Sequence, residues 1–192
     1  VEKTMFPLQP VYDRFGVRFV HGRATEVRVG ERVVVVDRDA GGEAQVAYDY
    51  LVIATGPRLD FEGTEGLGPE AGHSQSICTG SHAVRARDRY LDEVARMEKG
   101  ERRRFVIGTG HPGATCQGAA FEYITNVHKD LLRRGVRDKA DLLWLSNEQA
   151  LGDFGVRGVS VRRKGHLLTS EEFIAAVFRE YGIRSQVRTG VL

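Results

Sequence analysis

Cys116 stands three residues after Gly113, where a glycine-rich turn gives way to a helical pattern. A helix N-terminus lowers a thiol's pKa and favours thiolate chemistry, whereas a small buried hydrophobe is the plainer role for a lone cysteine. Glu122, six positions on, lies roughly 120° away around a helix of 3.6 residues per turn and could face the same cleft as a proton carrier. Cys78 sits in Ser76-Ile77-Cys78-Thr79-Gly80-Ser81-His82, at the entrance to another helix. A His four residues from a thiol could tune its ionisation. The pair is too small for a structural zinc, so no metal site is expected. A loop cysteine beside a surface histidine is the alternative.

The turn itself is Gly108-Thr109-Gly110-His111-Pro112-Gly113, preceded by Phe105-Val106-Ile107. It fits G-x-G-x-x-G directly after a strand and ahead of a helix. In that pattern the first glycine allows a tight turn, the second a close backbone approach, and the helix start favours an anion. The acid that binds a ribose about 20 residues further on is missing. The nearest acid at a second strand end is Glu148. A strand-to-helix turn that binds nothing is the competing possibility.

The elements that must position these residues follow from periodicity. Val17–Val20, Ala24–Val29 and Arg32–Asp37 are short β-branched runs, and Val33–Val36 suits a strand covered on both faces. Gln45–Tyr48 leads into Tyr50-Leu51-Val52-Ile53-Ala54-Thr55-Gly56-Pro57, expected to be a buried strand ending at a Gly-Pro break. Residues 57–80 have little periodicity and are expected to form a connecting loop. A helix is expected over about 82–99, with Ala83, Arg87, Tyr90, Val94 and Met97 on one face. From residue 104 the order is strand, helix, strand, helix, strand, which points to a parallel sheet. Its second helix, about 117–134, presents Ala120, Ile124, Val127 and Leu131. The last opens on a Thr169/Glu172 capping box and presents Phe173, Ile174, Val177, Phe178 and Tyr181.

Composition narrows the class. The 192 residues are 41% hydrophobic and 28% charged, which excludes a disordered or collagen-like chain. A net charge of +2 gives no reason to expect nucleic acid. Arg102-Arg103-Arg104 is the one tight basic run, better suited to a solvated strand entrance than to a phosphate site. No apolar stretch approaches the ~20 residues of a bilayer span, and two cysteines make no disulfide framework.

Three stretches together carry a resemblance: Tyr50–Pro57 with its Ala-Thr-Gly ending, Cys78-Thr79 through His82, and Gly108–Tyr123, GTGHPGATCQGAAFEY. They resemble sulfide:quinone oxidoreductase, a family of the pyridine nucleotide-disulfide oxidoreductase group, over about residues 7–190. The resemblance implies an α/β, Rossmann-like FAD/NAD(P)-binding fold, incomplete, with βαβ units in a parallel sheet plus a small β-rich segment. Residues 1–60 would be the C-terminal part of an FAD-binding domain, 61–101 a connecting loop and helix, and 102–192 a second, NAD-like domain. Cys116 would be the cysteine beside the flavin that pairs with a second, C-terminal cysteine, and Cys78 the thiol that assists sulfide capture. Glu122 and His82 would be acid–base neighbours. Ala24, Ala54, Thr55 and Gly56 would lie along the FAD, with Gly110 and Gly113 in the second turn. Sulfide and quinone would be the substrates, nucleic acid would play no part, and a homo-oligomer stays open. The whole enzyme would be peripheral to the cytoplasmic membrane through a C-terminal segment this sequence lacks; the fragment itself would be soluble.

The sequence departs from the family in three places. The glycine-rich FAD diphosphate turn and the C-terminal part are absent, and a His expected near Gly152-Asp153-Phe154-Gly155 is replaced. The isolated chain is therefore expected to bind FAD weakly and to be inactive. Alternatives are an NAD(P)H-dependent flavoprotein (type II NADH dehydrogenase or disulfide reductase), the flavoprotein subunit of flavocytochrome c sulfide dehydrogenase, or a non-catalytic α/β module.

Overall fold

The computed structural model describes residues 6–70, 72–111, 113–114 and 117–190. These fall into two compact units, the chain dividing between Leu59 and Asp60.

The first unit holds a short helix α1 (Gln9–Arg14) and three strands, β1 (Gly22–Arg28), β2 (Val33–Arg38) and β3 (Glu43–Ala47). They form an antiparallel sheet in the order β1-β2-β3. The four valines place β2 at its centre, but only Val35 and Val36 are buried, so the expected cover on both faces is partial. Val17–Val20 is not a strand. The Phe19 ring stacks on Tyr12 and His21, and the Val17 N–H donates to Tyr12 O, so this segment folds back on α1 rather than joining a ladder.

Tyr50–Gly56 departs furthest from expectation. It is irregular, and Tyr50 and Val52 are 94% and 85% exposed. An apolar run becomes a strand only where a neighbour satisfies its backbone groups. No described strand pairs with this one.

The second unit begins with the turns of 60–79. Helix α2 (Gly80–Glu98) follows, N-capped by Thr79, whose hydroxyl accepts from the His82 N–H at 3.2 Å. Ala86, Val94 and Met97 form its buried face. The Arg87 guanidinium is turned to solvent and pairs with Asp88, and Ala86 rather than Arg87 fills the buried position at that turn.

Strand β4 (Arg103–Thr109), helix α3 (Gln117–Arg133) and strand β5 (Ala140–Ser146) follow, with a 3-10 turn at Arg137–Lys139 before β5. Strands β6 (Ser160–Arg163) and β7 (His166–Thr169) form a separate antiparallel hairpin. Helix α4 (Ser170–Tyr181) and strand β8 (Ile183–Gln186) complete the unit. β4, β5 and β8 make a parallel sheet in that order, with Phe105 opposite Leu142 and Leu142 opposite Ile183. The order from β4 onward is that expected, except that the hairpin is inserted ahead of α4.

The core lies between this sheet and the helices. Met97, Ile124, Leu131 and Leu142 are fully buried, and the Phe178 ring meets both Trp144 and Phe121. Helix α4 starts on the full Thr169/Glu172 capping box and ends on Gly182 at φ +61°. Phe173, assigned to its buried face from the sequence, is exposed: Ile174 and Phe178 alone point to the sheet deeply.

Candidate functional site

The candidate residues fall in both units. Ala24 lies in β1, exposed and opposite Val36, immediately before a bulge at Thr25. Ala54, Thr55 and Gly56 follow in the exposed irregular segment, with Gly56 at φ +71°. The remaining candidates belong to the second unit.

At the start of α2, Cys78 is a free, exposed thiol whose N–H donates to Ser76 Oγ. The half-buried His82 ring meets Glu70 Oε1 through Nε2 at 3.1 Å, while its buried Nδ1 has no hydrogen-bond partner. Arg85 shares Glu70, at 3.1 Å, and also donates to the Pro69 carbonyl. The Phe61 ring meets the His82 ring edge-on with centroids 5.8 Å apart. His82 is thus fixed from two sides by Glu70 and Phe61, neither of which carries a spacing signal.

The parallel sheet delivers the glycine turn. A Cβ on Gly108 would lie 1.8 Å from Leu145 O, so no side chain fits where β4 meets β5. Gly110 is half-buried and Gly113 exposed. The Gly113 N–H donates to His111 Nδ1 at 3.0 Å, and the Ala114 N–H donates to His111 O at 2.8 Å. Both donors are engaged within the turn, by its own histidine. Cys116 lies outside the described residues, as do Pro112 and Thr115. Glu122 is exposed on the second turn of α3, with its carbonyl accepting from Thr125 Oγ1.

Beside the turn, the ends of β4 and β5 carry a buried polar cluster. Ser146 Oγ donates to Glu148 Oε2 at 2.8 Å and accepts from the Glu148 N–H at 3.1 Å. Thr109 Oγ1 lies 3.3 Å from Ser146 Oγ. A serine has one O–H, so Thr109 is the donor in that contact. The other carboxylate oxygen, Glu148 Oε1, accepts from the Phe154 N–H at 2.8 Å. Glu148 is only 5% exposed. Asp153 Oδ1 gathers the N–H groups of Gly155 and Arg157, so the loop where a histidine was expected is organised by Asp153 and tied down through Phe154. Spacing pointed to Glu148 as a strand-end acid. Ser146 and Thr109 gave no signal, because hydroxyls at strand ends have no characteristic pattern.

Among the described residues, no three His, Cys, Asp or Glu side chains converge as a metal site, and no helix is long and apolar enough to cross a membrane.

No family model matches the chain. It is 32% identical over 163 residues to a sulfide-quinone reductase of Aquifex aeolicus, a match covering 85% of this chain and 35% of that protein. It is 31% identical over 130 residues to the oxidoreductase ptaL of Pestalotiopsis fici, covering 65% of this chain and 31% of that one. The chain therefore spans about a third of the length of these curated relatives. Among solved structures, the sulfide:quinone oxidoreductase of Aquifex aeolicus superposes with a TM-score of 0.72 at 30% identity, over 97% of this chain and 39% of that one. The α/β architecture, with its parallel and antiparallel sheets, matches that structure. In sequence and in fold alike, the chain is homologous to sulfide:quinone oxidoreductase.

Proposed function

We propose that the whole protein is an FAD-dependent oxidoreductase that oxidises sulfide and reduces a quinone. The observation that carries this is the agreement of sequence and fold on one relative over most of the chain. In the net reaction the sulfide sulfur loses two electrons, and the quinone gains two electrons and two protons to become a quinol. FAD, when bound, supplies the two-electron relay between them.

The chain's own residues then divide the work. Residues 1–60 would complete the FAD-binding domain, 61–101 connect, and 102–192 form a dinucleotide-like scaffold that presents Cys116. The exposed backbone of Ala54-Thr55-Gly56 fits a cofactor passing close to the main chain: nothing stands within 4 Å of where a Gly56 Cβ would be. Ala24 would border the same cofactor. Cys116 would be the redox thiol next to it, and Cys78, free and exposed, a thiol that captures sulfide. His82, held by Glu70, and the exposed Glu122 would carry protons to and from sulfur. Peripheral association with the cytoplasmic membrane would bring quinone within reach.

The competing NAD(P)H-dependent reading needs a free strand-end acid and free turn donors. Glu148 is buried with both oxygens occupied, and the Gly113 and Ala114 N–H groups are occupied too. That favours the scaffold role for Gly110 and Gly113.

The test is anaerobic reduction of the purified whole protein. Sulfide should bleach the flavin absorbance, and a soluble ubiquinone analogue should restore it. Cys116→Ser should abolish sulfide-dependent turnover. Bleaching by NADH and none by sulfide would replace this reading with the NAD(P)H-dependent one.

A further inference from the structure

The β6–β7 hairpin projects a surface that the oxidoreductase reading does not use. From Phe154 to Ser170 the sequence is FGVRGVSVRRKGHLLTS, with Arg157, Arg162, Arg163 and Lys164, one histidine, and no Asp or Glu. Its aliphatic side chains are also turned to solvent. Val161 and Leu167 are each 58% exposed, and Val156, Val159 and Leu168 are exposed as well. Val161 lies opposite Leu168 across the ladder, so an apolar pair stands directly behind the basic turn.

This surface is held in place. Lys164 and Gly165 have φ +48° and +83°, the pair of left-handed conformations that closes a two-residue hairpin. At the base, Ser170 Oγ accepts from the Val159 N–H at 2.9 Å and donates to Gly152 O at 2.7 Å, while the Ser170 N–H donates to Val159 O at 2.7 Å. An isolated two-stranded hairpin is marginal in water; this one is tied at its root to the start of α4. Among the described residues, Arg157, Arg162 and Lys164 make no ion pair with a carboxylate.

Unpaired cations at a tip, backed by exposed aliphatic side chains with no acid among them, match one kind of surface. An anionic bilayer neutralises the cations at its headgroups and takes the aliphatic groups into the acyl boundary. A single-stranded nucleic acid asks instead for aromatic platforms on which bases stack, and the hairpin, 159–169, has none. We propose that the β6–β7 hairpin is a membrane-docking element that recognises anionic phospholipid, inserting Val161 and Leu168 beneath headgroups paired with Arg157, Arg162 and Lys164. The element does not depend on the sulfide reading or on any C-terminal membrane contact.

The experiment is co-sedimentation of the full-length protein with vesicles of phosphatidylcholine alone or with 30% phosphatidylglycerol. Binding should require the anionic lipid and weaken with salt. Each neutralised cation near the surface should lower partitioning about fivefold, so Arg162→Gln with Lys164→Gln should lower it roughly 25-fold. Val161→Ser with Leu168→Ser should weaken binding while leaving its dependence on anionic lipid intact. Both pairs lie on an exposed hairpin, and an unchanged thermal midpoint verifies the fold. Full binding by the charge variant, equal binding to neutral vesicles, or equal affinity for a soluble polyanion such as single-stranded DNA would each overturn the proposal. Sulfide-dependent flavin reduction in detergent should be unchanged in both variants, which separates this test from that of the catalytic reading.

Discussion

Arg137 donates through Nε to Nδ1 of His128 at 2.9 Å, and that bond exists only while the imidazole is neutral. The same guanidinium donates to the carbonyls of Ala140, Tyr181 and Gly182, and the His128 ring stacks on Tyr181 with centroids 4.1 Å apart. One arginine therefore joins the end of α3, the start of β5 and the end of α4. Losing it leaves three carbonyls with fewer donors, so Arg137→Ala should cost about 2 kcal/mol or more. For a chain of this size that lowers the thermal midpoint by roughly 4–8 °C.

The same contact makes stability depend on pH. Burial, followed by the charges of Arg137 and Lys129, holds His128 below its ordinary 6.5, with Glu180 opposing. The unfolded chain then binds a proton that the folded chain resists, so stability is complete above pH 6.5 and falls as pH descends through that value towards the folded midpoint. Thermal midpoints measured from pH 7.5 down to 5.5 should decline. His128→Gln keeps an acceptor for Arg137 without a titration, and should flatten the decline; an identical slope in this variant would sink the assignment.

A second polar joint links α2 to α3. The Tyr90 hydroxyl donates to Asp130 Oδ2 at 2.7 Å, and Arg133 and Arg134 complete the carboxylate's partners. Burial raises the phenol's pKa, and the hydrogen bond to Asp130 raises it further. Burial alone would raise the Asp130 carboxyl too, but the bonds from Tyr90 and Arg134 outweigh it and hold the group below its ordinary range. Hydrogen bonds to charged groups contribute about 1.5–3 kcal/mol. Tyr90→Phe should therefore destabilise by an amount near the lower end, since Asp130 keeps its two arginines. Urea unfolding would read this as a lower midpoint with an unchanged slope.

Gly108 sets a steric test of the sheet. With a Cβ position 1.8 Å from Leu145 O, Gly108→Ala cannot be absorbed by a side-chain rotation. β4 must separate from β5 or the chain must not fold, a cost of about 4 kcal/mol or more. Gly113→Ala, whose Cβ would meet only the His111 ring at 3.3 Å, should be tolerated far better. Comparing soluble yield and thermal midpoint of the two variants distinguishes a glycine required by packing from one that is not. Equal tolerance would contradict the close approach.

The second unit was legible because its signals are local and periodic. Ile124, Val127 and Leu131 recur at helical spacing and are buried; Thr169 and Glu172 state the start of α4; Gly182 states its end. Where a neighbour decides the outcome, sequence misleads. Tyr50–Ile53 has the apolar content of an inner strand and stands exposed because no described strand pairs with it. The β6–β7 hairpin was missed because cations interrupt its alternation and its turn is Lys-Gly rather than Asn-Gly. At the site, the glycine turn was visible as a motif. The occupation of its N–H groups by His111, and of Glu148 by Ser146 and Phe154, depends on tertiary placement that no spacing encodes.

Those occupied groups lead to a prediction about nucleotide. A dinucleotide site on this unit would need an acid at the end of β5 to meet ribose hydroxyls, and free N–H groups at the turn to meet the diphosphate. Glu148, at the end of β5, is buried and accepts from Ser146 Oγ and the Phe154 N–H. Glu148→Gln keeps the shape but replaces one acceptor with a donor, leaving one of those two partners unmatched. It should lower stability by about 1–3 kcal/mol. If Glu148 is structural, that loss appears in thermal unfolding with and without NADH alike, and calorimetric titration of the unsubstituted protein with NADH shows no saturable heat. Stoichiometric, tight NADH binding that Glu148→Gln weakens would instead make the acid a nucleotide ligand, and would favour the NAD(P)H-dependent flavoprotein over the sulfide reading.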